Sequence, residues 1–381
     1  MLLLFIKANP SVREITLTNF PLSSVWTSVL LGNLIAGHSG LESVTINCFR
    51  GIQLLSVQHV LHGVALSSKV AKLSLICRSS GSFLQESTQT QADSGNVSLP
   101  LLPEGHVSGA LKEVILDLVL HQPLSATLSS LVRHCPNLER LHIPSTRVDE
   151  SFKELCNTLH QCCLKLRHIE GGLLNPQDHH LAMLISSSRN LKSYSMRSNQ
   201  IMGPLSVKAL LDDQRCFTLE QLDFKQCVAI ESKHIQLILT SCPNLKTFRA
   251  LSGHDQQNSF DPRLNIRDLP IHSTKGPQWA CQGLLELQIG FTGFSEITND
   301  LPVQPYVDYI YDQLAVLTEL QTLHLGGELG AAIFPDDSRV WTFDFTLRSG
   351  IWKLGTLKQL KHLNVQRLKH NRIGKLEVEW M

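Results

Sequence analysis

Few side chains in this 381-residue sequence stand at spacings that could perform chemistry. Cys162-Cys163 has the make-up of a vicinal redox pair. His179-His180 could offer two imidazoles to a metal, and Gly37-His38-Ser39-Gly40 resembles a fragment of a nucleophile site. Each fails on local grounds. Adjacent residues on a helix project in different directions, so His179 and His180 are poorly placed to share an ion. Cys163 stands three residues before a leucine that opens an extended segment, as do Cys135, Cys216, Cys242 and Cys281. Gly37 to Gly40 falls where a helix should end, which accounts for its glycines without catalysis. No glycine-rich phosphate loop, Gly-x-Ser-x-Gly elbow or zinc-type Cys-x-x-Cys pair is present. With no convergent nucleophile and base, the sequence predicts no enzyme, no cofactor and no resident metal.

What remains is a set of polar residues at a fixed place in a repeated pattern. Cys216 to Ala250 shows it best: Leu219, Leu222, Phe224 and Cys227 fit L-x-x-L-x-L-x-x-N/C, and Leu245 restarts the pattern. Between them Ile235, Ile238, Leu239 and Cys242 fall at i, i+3, i+4 and i+7, one apolar helix face. The same opening recurs at Val12, Leu41, Val70, Leu111, Leu138, Leu166, Leu191, Leu219, Leu245, Leu284, Leu320 and Leu360, with core partners three and five residues on. Gly171 and Ala250 end degenerate examples. The sequence therefore predicts an α/β fold of leucine-rich repeats, a right-handed solenoid (horseshoe) with parallel strands on the concave face and helices on the convex face. One unit cannot fold alone. Each buried apolar side chain contributes about 1.5–3 kcal/mol, whereas ordering the chain costs on the order of 1.5 kcal/mol per residue.

In such a strand the residue between the last two apolars faces away from the core. Down the stack this gives Thr16, Thr45, Ser74, Ile115, His142, Glu170, Ser195, Asp223, Arg249, Gln288, His324 and Asn364. A neighbouring column adds Arg140, His168, Gln221, Thr247, Glu286, Thr322 and His362. A partner-binding site is expected on the middle repeats, at Arg140, His142, Glu170, Ser195, Gln221, Asp223 and Arg249, with Asp223 and Arg249 pointing to solvent. Mixed signs there favour a protein over a nucleic-acid backbone, which would want lysine and arginine throughout.

Three stretches break the rhythm, and inserted loops are expected near 78–110, 251–279 and 326–346 of a single repeat domain spanning 1–381. The first is rich in Ser, Thr and Gln. Asn175-Pro176-Gln177-Asp178 reads as a helix start, with Asn as cap and Asp answering the helix dipole. The aligned cysteines read as small buried hydrophobes, since repeats of one position cannot all pair. Thirty-four Lys+Arg against 33 Asp+Glu leave a net charge of +1, which gives no sign of a nucleic-acid partner. Met1 to Ile6 is apolar but too short for a signal peptide, and no apolar run approaches the roughly 18 residues of a membrane span. A cytoplasmic or nuclear protein with no membrane partner is expected. Both ends read as unfinished repeats, which predicts a longer natural or ancestral polypeptide.

The chain resembles the fungal F-box and leucine-rich-repeat proteins with cysteine-containing, ribonuclease-inhibitor-like repeats. The residues that carry this are Cys135-Pro-Asn-Leu-Glu-Arg-Leu141, Cys242-Pro-Asn-Leu-Lys-Thr-Phe248, Gly276-Pro-Gln-Trp-Ala-Cys-Gln-Gly-Leu284, and Leu347-Arg-Ser-Gly-Ile351 through Ile373-Gly-Lys-Leu-Glu-Val-Glu-Trp-Met381. The resemblance implies a substrate receptor of a cullin–RING ubiquitin ligase, with the repeats holding a protein substrate and an F-box holding the adaptor. The sequence departs from that pattern in showing repeats almost from Met1 and no F-box. Adaptor binding then requires an F-box upstream, and the alternative is a free-standing repeat scaffold or regulator with no ubiquitin role.

Overall fold

The computed structural model describes residues 5–6, 8–22, 24–48, 52–77, 107–120, 122–196, 200–212, 214–225, 227–228, 230–251, 262–270, 277–293, 304–326 and 349–366. Most of the three expected insertions, and the sequence beyond 366, therefore lie outside the described residues. The chain divides into two compact units, one of residues 1–176 and 183–191, the other of 177–182 and 192–381.

The first unit alternates strands and helices: β1 (Glu14–Thr18), α1 (Val25–Gly37), β2 (Ser43–Cys48), α2 (Leu54–Leu66), β3 (Lys72–Cys77), β4 (Glu113–Asp117), α3 (Ser125–Arg133), β5 (Arg140–Arg147), α4 (Phe152–Cys162) and β6 (His168–Leu174). The strands pair in chain order and all in parallel. Parallel neighbours need a crossover, and among the described residues a helix supplies it between β1 and β2, β2 and β3, β4 and β5, and β5 and β6. After α5 (Asp178–Ser186), the second unit holds β7 (Ser193–Met196), β8 (Gln200–Ile201), α6 (Pro204–Leu211), β9 (Gln221–Asp223), β10 (Cys227–Val228), α7 (Ser232–Ser241), β11 (Thr247–Arg249), β12 (Arg263–Asn265), β13 (Glu286–Thr292), α8 (Gln304–Ala315), β14 (Thr322–Gly326) and β15 (His362–Gln366). Its sheet runs β7-β9-β11-β13-β14-β15, with β12 also on β13 and a small β8–β10 pair apart. This repeat of strand and crossover, at the spacing of the apolar pattern, is the leucine-rich-repeat fold.

At the core place three residues after each opening, register follows the openings. Ile15, Val44, Leu73, Val114, Leu141 and Ile169 lie side by side, as do Tyr194, Leu222, Phe248, Leu287, Leu323 and Leu363. All but Leu363 are buried. The backbone locks this register by a repeated fork: one carbonyl accepts two successive N–H groups of the next repeat, as Lys112 O does from Glu139 and Arg140, and Lys246 O from Leu285 and Glu286. The helix face matches the expected stripe, with Ile235, Ile238, Leu239 and Cys242 all buried at α7. Gly171 is not a degenerate end. Its φ is +132°, and an added Cβ would fall 2.0 Å from the Ile143 carbonyl oxygen, beside an irregularity in β5 between Ile143 and Thr146. Only glycine fits there.

The position three residues before each opening forms a ladder that the cysteines only partly revealed. Cys163 Sγ donates to Cys135 O at 3.4 Å. Ser108 Oγ donates to Ser67 O at 3.2 Å, and His38 Nε2 lies 3.1 Å from Asn9 O. In each case the side chain reaches the carbonyl of the same position one repeat earlier. Serine, cysteine and histidine can all make this contact in these repeats, while Leu317 and Leu357 take the same place before Leu320 and Leu360. All ten cysteines are free thiols.

Two expectations are corrected here. Asn175 has φ +54° and does not cap α5, which begins at Asp178. The Asp178 carboxylate turns instead to the start of α6, accepting from the Gly203, Leu205 and Ser206 N–H groups at 2.9, 2.8 and 3.0 Å, and from the Ser206 hydroxyl. It supplies the cap that Gly203 lacks. The 251–279 stretch is not wholly an excursion. Arg263–Asn265 pairs with Gly290–Thr292 of β13, and Trp279 is among the largest fully buried side chains.

Candidate binding surface

Core residues at the third and fifth places after each opening point to the helices, so those at the second, fourth and sixth places form the opposite sheet face. In the first unit the rows read Ser43, Lys72, Glu113, Arg140, His168, then Thr45, Ser74, Ile115, His142, Glu170, in register. Arg140, His142 and Glu170 are thus neighbours, as the sequence predicts. Glu113 bridges two cations, Lys72 Nζ at 3.1 Å and Arg140 Nη1 at 3.5 Å.

In the second unit Ser195, Asp223, Arg249, Gln288, His324 and Asn364 form one row. Ser193, Gln221, Thr247, Glu286, Thr322 and His362 form the other. Ser195, Gln221, Asp223 and Arg249 come together as expected, but Asp223 and Arg249 do not stand open to solvent. Arg249 grips Glu286 with both arms of its fork, Nε to Oε1 at 2.8 Å and Nη2 to Oε2 at 2.6 Å. Its third nitrogen lies 3.7 Å from Asp223 Oδ2. The side chains of Arg249, Asp223 and Glu286 are 30%, 15% and 20% exposed, so the pairing is largely covered. Gln288 Nε2 donates to the same Glu286 Oε1 at 2.6 Å. Such a two-armed pair holds a planar geometry that a lysine could not.

These contacts set the charges of the site. Burial pushes the Glu286 carboxyl up, but the hydrogen bonds and charge of Arg249, helped by Gln288 and Lys225, outweigh it and hold it below the ordinary glutamate range. His324 is driven down, first by burial and then by Lys225, Arg249 and His362, against the pull of Glu286. At neutral pH the cluster therefore presents an ionised carboxylate, a fixed guanidinium and a neutral imidazole. Beside it, Gly290 and Gly326 lack side chains where Leu251 lies across the face; a Cβ on either would come 3.0 Å from a Leu251 methyl carbon.

Glu286 and Gln288 in one unit and Lys72 and Glu113 in the other complete networks whose sequence-predicted members are only half. The signal was available: opposite charges recur at equivalent places in successive repeats. Of the chemical candidates, His179 and His180 do meet, with ring centroids 3.9 Å apart, and His180 Nδ1 accepts from the Gln177 N–H at 3.1 Å. No group of three or more His, Cys, Asp or Glu among the described residues is arranged to hold a metal ion. No helix among them is long and apolar enough to cross a membrane.

No family model matches the sequence, and no curated protein matches it. Among solved structures the chain is similar to the leucine-rich-repeat-containing protein LegL7 from Legionella pneumophila, at 12% identity and a TM-score of 0.36, over 93% of this chain and 91% of that one. It is also similar to TLR13, solved in complex with ssRNA13, at 13% identity and a TM-score of 0.39. That match covers 96% of this chain and 45% of the TLR13 chain.

Proposed function

We propose that the chain is a protein-binding leucine-rich-repeat module, the substrate-recognition part of an F-box-type ubiquitin ligase receptor. The observation that carries the binding half is the sheet face itself. It is polar, of mixed sign, and built on strands locked by the backbone fork, so little entropy is lost when a partner docks. Opposed charges held in fixed geometry favour orientation-specific protein contacts over a phosphate backbone. The ligase half rests on the resemblance of the Cys-Pro-Asn-Leu repeats and the Gly276–Leu284 segment to the fungal receptors.

Co-expression with the ligase adaptor and cullin, followed by affinity capture of the chain from its full-length gene product, tests the ligase half. Retention of the adaptor after a high-salt wash supports the receptor. Its absence, with protein partners still captured on the sheet face, leaves the free-standing scaffold.

A further inference from the structure

We infer that the sheet face of the first unit holds an anchor site for an extended protein segment that presents an apolar side chain between an acidic and a basic one. The inference rests on the protein-binding reading above and names the partner chemistry for one part of that surface.

Leucine-rich strands ordinarily place polar residues on this face, and Thr16, Thr45, His142 and Glu170 do so. Strands β3 and β4 depart from it. Ile76 and Ile115 are only half-buried there, and Val119, just past β4, is 53% exposed. Ser74 sits in register between Thr45 and Ile115 and is 4% exposed, a small residue at the floor between larger ones. Isoleucines in the middle of a solvent-facing sheet contribute nothing to the core behind them, which is already filled by Leu73, Leu75, Val114 and Leu116. An apolar centre ringed by polar groups is the usual anatomy of a binding anchor.

Charge then selects what the anchor carries. On the N-terminal side of the two isoleucines lie Lys72 and Arg140, which share the single carboxylate of Glu113 and so leave one positive charge over. Both cations keep side chains more than 40% exposed, at 44% and 42%. On the C-terminal side of Ile115, Asp117 stands in register with Ile76 and supplies a negative charge. Lys72 and Arg140, then Ile115, then Asp117 occupy the second, fourth and sixth places after their openings. Those places are about 6.6 Å apart, twice the rise per residue, which is also the spacing of alternate residues in an extended peptide. A segment lying along the strands with the pattern acidic-x-apolar-x-basic, in either chain direction, complements all three.

The test is selection of a displayed random peptide library on the full chain, with each recovered peptide then measured against variants. Ile115→Ser removes the anchor at a half-exposed site, and Asp117→Lys inverts one flank; thermal melting checks that both remain folded. Enrichment of the acidic-x-apolar-x-basic pattern is expected, with affinity falling about tenfold or more on Ile115→Ser. Asp117→Lys should weaken those peptides and, in a fresh selection, favour an acid at both flanks. Peptides that bind wild type and both variants equally, but lose affinity on Gln221→Ala in the second unit, overturn the anchor and leave the protein-binding reading intact. Failure to enrich any peptide overturns it as well.

Discussion

At the scale of single residues, the contacts of Arg249 make the sharpest expectation. The sequence placed it on the right face but could not show that its fork is filled by Glu286, 37 residues away. Side-chain partners at that separation depend on which repeats stack, and β12 intervenes in the chain between them. Arg249→Ala therefore should not be silent: it strips the neutralising partner from two mostly covered carboxylates, and we expect a loss of about 1–3 kcal/mol in urea unfolding. The loss should depend on pH. Glu286 has its pKa depressed in the folded state, so its contribution is present above the ordinary carboxylate pKa and disappears as pH falls through the depressed value. The wild-type advantage over Arg249→Ala should thus be full at pH 7 and shrink steadily in melts taken below the ordinary glutamate pKa of about 4.3. A gap independent of pH would show that packing of the guanidinium, not its charge, is what matters.

Elements are positioned by devices that local sequence reading half sees. The helix start at Asp178 was legible as a start, but its carboxylate serves α6 in the following repeat, and no rule confined to one helix could say so. Asp178→Ala should cost about 1–2 kcal/mol, the usual value of a lost cap, and speed hydrogen exchange at Gly203, Leu205 and Ser206 rather than within α5. Helices α1 and α2 meet through glycine. A Cβ on Gly63 would lie 2.3 Å from the Gly32 carbonyl oxygen, and one on Gly32 2.5 Å from that of His59. The obstruction is backbone in both cases, so Gly63→Ala should destabilise the first unit by about 1–3 kcal/mol, read as an earlier melt. Asparagine before an opening leucine is a further link that the Cys-Pro-Asn-Leu motif hid in plain view: Asn137 Nδ2 donates to Gly109 O at 2.7 Å and Asn244 Nδ2 to Phe217 O at 2.6 Å, each reaching back one repeat.

For the molecule as a whole, the repeat pattern made strands, core and sheet face readable, because one offset set recurs in nearly every unit and errors in any single repeat are corrected by the others. What has no period escaped: β12, whose Arg263-Leu-Asn matches no opening, and the serine and histidine members of the ladder that the cysteines mark. Burial, on the ladder and elsewhere in the core, also governs thiol behaviour. Burial pushes Cys48 up to about 11 and Cys135, Cys156, Cys242 and Cys281 up to about 12. A thiol reagent at pH 7 should therefore titrate the half-buried Cys77 and Cys162 first and the remainder only on unfolding. Rapid reaction of all ten in the native protein would contradict the buried ladder. A last consequence follows from the way β13 receives its neighbours. Arg249 pairs with Gln288 and Arg263 with Gly290, on the same edge of β13. The sheet thus treats Ala250 and Arg263 as successive residues of one strand, although twelve others lie between them in the chain. Both ends of that excursion are fixed by the sheet, and the closure cost of a longer one grows as slowly as a logarithm. The chain has in effect a port in the middle of a strand, where a foreign peptide or a reporter domain could be spliced in place of 252–261 and displayed beside Arg249 without shifting the register of a single repeat.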